Sequence, residues 1–362
     1  MDPRYSLKVY PRNDVAFKAK GSYNFETIRS KVYLNRKKDK LEELYRWLVH
    51  GVIGFFVGSI AFFMAMFEEE IALYHAEHTQ HMITTAVDDA ALTQTNYSLL
   101  YSWLFWSGFP LIFAFISVMM TVYWAPYAAG SGVPEVMGML NGVNGGGAVY
   151  VSSLITKAVG VTCAVLGNLC VGKEGPLVHI GAICGLLGPY MPFDIFKCFH
   201  NDSDKRTFMS AGCSGGVAAA FGAPIGGTLF TYEISKPTTF WTFSMLWRVF
   251  FTSAVSVFTL GILQSLKSGA VLSLSNSATL KFGEIVIIYS PLSDALVAVL
   301  LGIICGLLGA LFVSVNSHMI ILRKKYVNTN LKKVIEVLLF SLATSTAFFW
   351  FSAANASRPG NC

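Results

Sequence analysis

Residues 47–156 contain no lysine or arginine. The chain also has runs without any charged residue at 47–67, 90–134, 207–232, 295–322 and 337–357. A helix needs about 20 apolar residues to cross the hydrocarbon core of a bilayer. Each run meets that length, and a soluble fold with so many of them would expose large apolar patches. Composition agrees: 54% of the 362 residues are hydrophobic and 13% are charged, against about 25% charged in soluble domains. These features exclude a disordered chain and an ordinary soluble enzyme. They predict an all-α polytopic membrane protein.

Charge sets the expected orientation, because lysine and arginine stay on the cytoplasmic side. Residues 1–46 hold twelve of them and no apolar core, unlike a secretory signal peptide. This segment is expected to be cytoplasmic, with 47–67 carrying the chain out. Residues 68–95 hold six acidic residues (Glu68, Glu69, Glu70, Glu77, Asp88 and Asp89) and no basic one, so they read as an extracytoplasmic loop. Asn96 and Asn355 begin glycosylation sequons. Asn201 begins another, beside Lys197, Lys205 and Arg206, and reads as cytoplasmic and unused. Arg323, Lys324, Lys325, Lys332 and Lys333 mark a further cytoplasmic loop.

Seven scattered cysteines without a CxxC pair argue against a disulfide framework or a zinc ribbon. His75, His78 and His81 recur at a spacing of three in the acidic stretch; on a helix they would share a face, as a zinc or pH-sensing site requires, and the plainer reading is a solvated loop. No basic, aromatic-interleaved patch points to nucleic acid. The basic N-terminal segment suits anionic lipid contact. Gly302 and Gly306 have the spacing that lets helices approach closely.

Residues 128–232 are unusual for plain spanning helices, because glycine clusters recur and several lead into proline. Irregular backbone at membrane depth survives where it lines a cavity or is buried in protein, and broken helices mark transporter binding sites. Three segments stand out: Gly130-Ser131-Gly132-Val133-Pro134-Glu135, Gly172-Lys173-Glu174-Gly175-Pro176, and Gly222-Ala223-Pro224-Ile225-Gly226-Gly227. Proline in a first helical turn sacrifices no hydrogen bond, and glycine before it lets backbone amides approach a ligand. Such a helix N-terminus favours an anion through its free amides and its dipole. Glu174 places a carboxylate at the same point, where it would compete with the anion and could carry a proton. The spacing from Gly167 to Lys173 imitates a phosphate loop, but Glu174 stands where serine or threonine belongs, so nucleotide binding is not expected.

The three segments in this order resemble the CLC family of chloride channels and chloride/proton exchangers. The runs 173–179 and 210–230 are especially similar, and Tyr23-Asn24-Phe25, Phe240-Trp241, 247–251 and Thr259-Leu260 resemble its endosomal and lysosomal branch. The resemblance implies an inverted-repeat fold of broken, re-entrant helices in an organellar membrane, acting as a homodimer and not as an enzyme. It implies no cofactor and no metal. Residues 1–46 would be the cytoplasmic segment, 47–265 the first transmembrane repeat, 266–291 a connection, and 292–362 the start of an incomplete second repeat.

By the same resemblance, Gly130, Ser131, Gly132, Val133 and Pro134 form one part of the chloride site, with serine at 131 favouring chloride over nitrate. Gly172, Lys173, Gly175 and Pro176 form the other, around Glu174 as the gating glutamate. Residues 222–227 would build a turn near the subunit interface. Exchangers of this branch carry a second acid that relays protons from inside; here the pair aligns with Glu233 and Ile234, and isoleucine carries no proton. Three readings follow. The first is glutamate-gated chloride transport, voltage-linked, proton-linked or both. The second is a passive chloride channel. The third is a non-conducting subunit that associates with a full-length relative.

Overall fold

The computed structural model describes residues 40–93, 97–143, 145–191, 199–235, 241–269 and 292–356. Its described residues hold ten α-helices and no strand. They are α1 (Lys40–Thr93), α2 (Tyr97–Met119), α3 (Val133–Leu140), α4 (Val151–Leu166), α5 (Glu174–Leu187), α6 (Asp202–Phe221), α7 (Pro224–Ile234), α8 (Phe243–Lys267), α9 (Leu292–Tyr326) and α10 (Asn330–Ala356). Five stretches are long and apolar enough to cross a membrane: Leu41–Ile83, Leu100–Trp124, Phe243–Lys267, Asp294–Tyr326 and Asn330–Phe351. Between them lie shorter helices, several of which begin or end at glycine or proline.

One expectation is corrected. Residues 68–93 form no loop, because α1 continues unbroken through them. The stretch contains neither glycine nor proline and is rich in Ala and Glu, which are strong helix formers. Its acidic charge speaks to solvent, not to chain reversal. Nor is the histidine row a solvated loop: His75 is buried, with its ring stacked on Trp106 and Phe109, while His78 is exposed. Asn96 lies outside the described residues, as do the side chain of Asn355, residues 1–39 and residues 270–291.

The chain divides into two compact units. One comprises Met1–Met64, Tyr127–Ala158 and Gly172–Ala278, and the other Ala65–Pro126, Val159–Val171 and Thr279–Cys362. In the first unit, α5 and α6 touch backbone to backbone. A side chain on Gly181 or Gly212 would strike the other's carbonyl, and one on Gly185 or Gly216 would strike the carbonyl of Phe208 or Leu177. These glycines stand four apart on each helix, the small-residue pattern that permits close approach. Gly54 and Gly58 repeat it for α1 against the carbonyls of Thr252 and Ser256 on α8. Ion pairs join the starts of these helices, from Arg46 to Asp204 and from Arg248 to Glu43. A core of Val136, Met139, Val178, Ile183, Met209 and Ile234 ties α3, α5, α6 and α7 together.

The second unit holds α2 and α10 side by side. The Trp106 Nε1 group donates to the carbonyl of Ser345 at 3.0 Å. Three hydroxyl-bearing residues of α10 fasten the chain just after α4. Ser341 and Thr344 donate to the carbonyls of Gly167 and Asn168, each at 2.7 Å, and Ser345 Oγ accepts from Asn168 Nδ2 at 3.1 Å. Asn168 has φ +52°, alone among the described non-glycine residues in the left-handed region. The described side chains of α9 are all accessible, and Gly302 and Gly306 have nothing within 4 Å. The expected close approach at that pair does not occur among the described residues.

Candidate anion site

Helix α3 is capped by Gly132 at φ +83° and carries Pro134 in its first turn. Gly130 also has a positive φ, +76°. The two glycines bend the chain sharply, and Ser131 is held between them. The backbone N–H of Val133 donates to Ser131 Oγ at 3.3 Å. The hydroxyl proton of Ser131 stays available to an acceptor outside the loop. Ser131 is exposed and Gly132 is buried.

Helix α5 starts at Glu174, with Lys173 as its N-cap. Its first intrahelical bond runs from the amide of Leu177 to the carbonyl of Lys173, at 3.0 Å. Pro176 has no N–H, so the amides of Glu174 and Gly175 are the ones without a helical acceptor. Proline therefore stands two residues inside the helix rather than at its first position. The Glu174 side chain turns back over Gly172, where an added Cβ would collide with its Oε2. Glu174 is itself exposed.

The structure brings the first two motifs together. A Cβ on Gly175 would lie 2.8 Å from the Cβ of Ser131, and one on Gly132 would collide with the ring of His179. Gly175 and His179 stand four apart on α5 and so share a face. The Ser131-Gly132 dipeptide therefore lies along the first turns of α5, with the start of α3 beside the start of α5. Two helix N-termini, one hydroxyl and the Glu174 carboxylate lie close together there. Such a set can replace the hydration of a small monovalent anion with amide and hydroxyl donors.

The third motif is placed elsewhere in the same unit. Gly227 packs against the carbonyl of Ser214 on α6, and the Thr228 hydroxyl donates back to the carbonyl of Pro224 at 2.9 Å. Glu233 is exposed and Ile234 is buried in the core shared with α3 and α5.

One residue beside the site was passed over in the sequence. Lys157 is 1% exposed, and its Nζ lies 3.1 Å from His179 Nδ1. The signal was available, since Lys157 is the single charged residue of α4 and an intramembrane ionisable group points to function.

The chain is similar to known proteins of one family. The model of the voltage gated chloride channel family matches residues 113–359. The H(+)/Cl(-) exchange transporter 7 of Bos taurus is 30% identical over 96% of the chain, which covers 44% of that protein. Chloride channel protein CLC-d of Arabidopsis thaliana is 38% identical over 66% of the chain and 31% of that protein. The chain thus spans less than half the length of these relatives. Among solved structures, a slow cyanobacterial Cl-/H+ antiporter superposes with a TM-score of 0.63 at 18% identity, over 83% of this chain and 63% of that one. A eukaryotic CLC transporter gives 0.58 at 22% identity, over 85% and 50%. At these identities the structures speak for the fold, while the family match covers most of the chain. The chain belongs to the voltage-gated chloride channel, or CLC, family.

Proposed function

We propose that the protein transports chloride across a membrane, with the anion held between Ser131 and the starts of α3 and α5 and with Glu174 as its gate. The observation that carries this reading is the juxtaposition of Ser131 with Gly175, which sets the starts of α3 and α5 side by side near the Glu174 carboxylate. A chloride ion and the Glu174 carboxylate would compete for the same amides, so protonating or displacing the carboxylate opens the site. The similarity to proteins named as chloride channels and as H(+)/Cl(-) exchangers supports the ion and the class of activity. The resemblance to the endosomal and lysosomal branch extends the reading to an organellar membrane and a homodimer.

The test is Glu174→Gln in reconstituted protein, with chloride flux read against pH and voltage. The neutral amide imitates the protonated gate, so the dependence of flux on both should disappear. Strong pH gating that survives the change removes Glu174 from this role.

A second reading, passive conduction without proton coupling, draws on Ile234. It is apolar and buried with Val136, Met139 and Val178, and no proton can be relayed by it. Recording proton movement together with chloride flux separates the two. Chloride-driven proton uphill movement supports exchange, and its absence at full chloride flux supports the channel.

A further inference from the structure

His75 projects from the acidic half of α1 onto α2 and is buried there. Its ring stacks on Trp106 and on Phe109, each with centroids 4.7 Å away and with interplanar angles of 23° and 9°. Phe105 lies 5.8 Å to the side. Trp106 and Phe109 stand three apart on α2, so one face of that helix offers both rings. The carbonyl of Trp106 also faces the imidazole. In an unbroken helix that carbonyl would accept from the amide of residue 110, but residue 110 is proline and has no N–H. The histidine ring therefore stands where the missing donor is needed. Trp106 in turn donates through Nε1 to the Ser345 carbonyl at 3.0 Å, so α1, α2 and α10 meet at this residue.

A neutral imidazole has one N–H to place, and an imidazolium has two. The Trp106 carbonyl can take one, and His75 Nε2 is buried with no hydrogen-bond partner. No carboxylate charge reaches the ring. On α1, Glu68 lies two turns earlier on the same stripe and is half-buried, while Glu77 and His78 are exposed. Helix α2 carries no Asp, Glu, Lys, Arg or His, and residues 337–356 of α10 carry no charged residue. The aromatic faces attract a cation, but less strongly than lost hydration opposes one that has no counter-charge.

We propose that His75 is a proton-operated latch between α1 and α2. The neutral ring closes the carbonyl that Pro110 leaves open, and protonation drives the ring out toward the exposed side of α1. The sign follows from proton uptake. A histidine in the unfolded chain takes a proton near about pH 6.5, whereas the latched ring stays neutral, so the unfolded state binds more protons. The latch contributes stability above that pH and loses it as pH falls below. The proposal does not depend on the chloride-site reading.

The experiment follows the thermal midpoint of the whole purified protein in detergent between about pH 7.5 and about pH 5. The parent should lose roughly 2 °C more on acidification than His75→Phe, which keeps a ring on Trp106 and cannot titrate. His75→Gln keeps an N–H for the Trp106 carbonyl and has no proton to gain. It should lack the same part of the response, and it carries the test where the phenylalanine variant does not fold. The local readout is the emission of Trp106, taken as the difference between the parent and Trp106→Phe. It should move to longer wavelength on acidification, as the indole loses its covering ring, and stay fixed in His75→Phe. An equal pH response of the midpoint in parent and variants overturns the proposal, and so does a Trp106 emission that stays fixed in the parent. A parent that gains stability over the variants on acidification also overturns it, because the stacked rings would then be holding the imidazolium.

Discussion

Gly132 shows how narrowly the site is specified at the level of single residues. It has φ +83°, where L side chains are strained, and the His179 ring occupies the space of a Cβ. Gly132→Ala should destabilise the protein by about 2–4 kcal/mol, combining backbone strain with a steric clash. A lowered thermal midpoint in detergent checks it. Gly172 makes a different demand, because the atom in its way is the Glu174 carboxylate, the far end of a flexible side chain. Gly172→Ala should leave stability nearly unchanged and push Glu174 off its resting place. Flux through the reconstituted variant should then depend less steeply on pH than in the parent; an unchanged pH profile would mean that the carboxylate does not rest there in the closed state.

The motif residues around Ser131 and Glu174 were legible from the sequence because glycine and proline act on their own backbone. Positive φ and helix starts are local properties. The partner of Lys157 was not legible, since α4 and α5 set it by packing across 22 residues of chain.

Several helix pairs in this chain approach closely through glycine contacts and are fastened by hydroxyl groups, beside the apolar core. Where α5 and α6 meet, Gly212 faces the Gly181 carbonyl so closely that any side chain must separate the helices. Gly212→Val should cost several kcal/mol and abolish a monodisperse peak in size exclusion, while Gly302→Val on α9, with open space around it, should be tolerated. Each hydrogen bond from α10 to the chain after α4 is expected to contribute about 0.6 kcal/mol, the typical worth of such bonds between membrane helices. The triple change Ser341→Ala/Thr344→Val/Ser345→Ala should therefore lower stability by roughly 2 kcal/mol, read from unfolding in detergent.

Helix α1 is the element whose sequence was misleading. Its acidic second half reads as a loop by charge alone, yet charge reports the surroundings of a segment, whereas the lack of glycine and proline governs whether the helix continues. The side of the membrane to which it projects is read by glycosylation of Asn96. A mobility shift lost in Asn96→Gln places it outside the cytoplasm, and cytoplasmic labelling of residues 68–93 would refute that orientation.

At the scale of the molecule, composition and charge spacing were sufficient for the class. Uncharged runs of membrane length leave no alternative to backbone groups satisfied within helices, and the described residues are helical throughout their regular structure. The broken character of 128–232 was also written locally, in glycine followed by proline. The sequence by itself determined where the helices near 130 and 172 would begin, because capping and dihedral preference are short-range effects. Only the tertiary structure decided that Ser131 lies against Gly175, that Gly132 backs onto His179, and that Lys157 is buried behind them. Those relations depend on how closely α3, α4 and α5 approach one another. Gly132 and Gly175, far apart in the chain, leave room for the loop before α3 to lie against α5, an effect that appears only when the helices are packed.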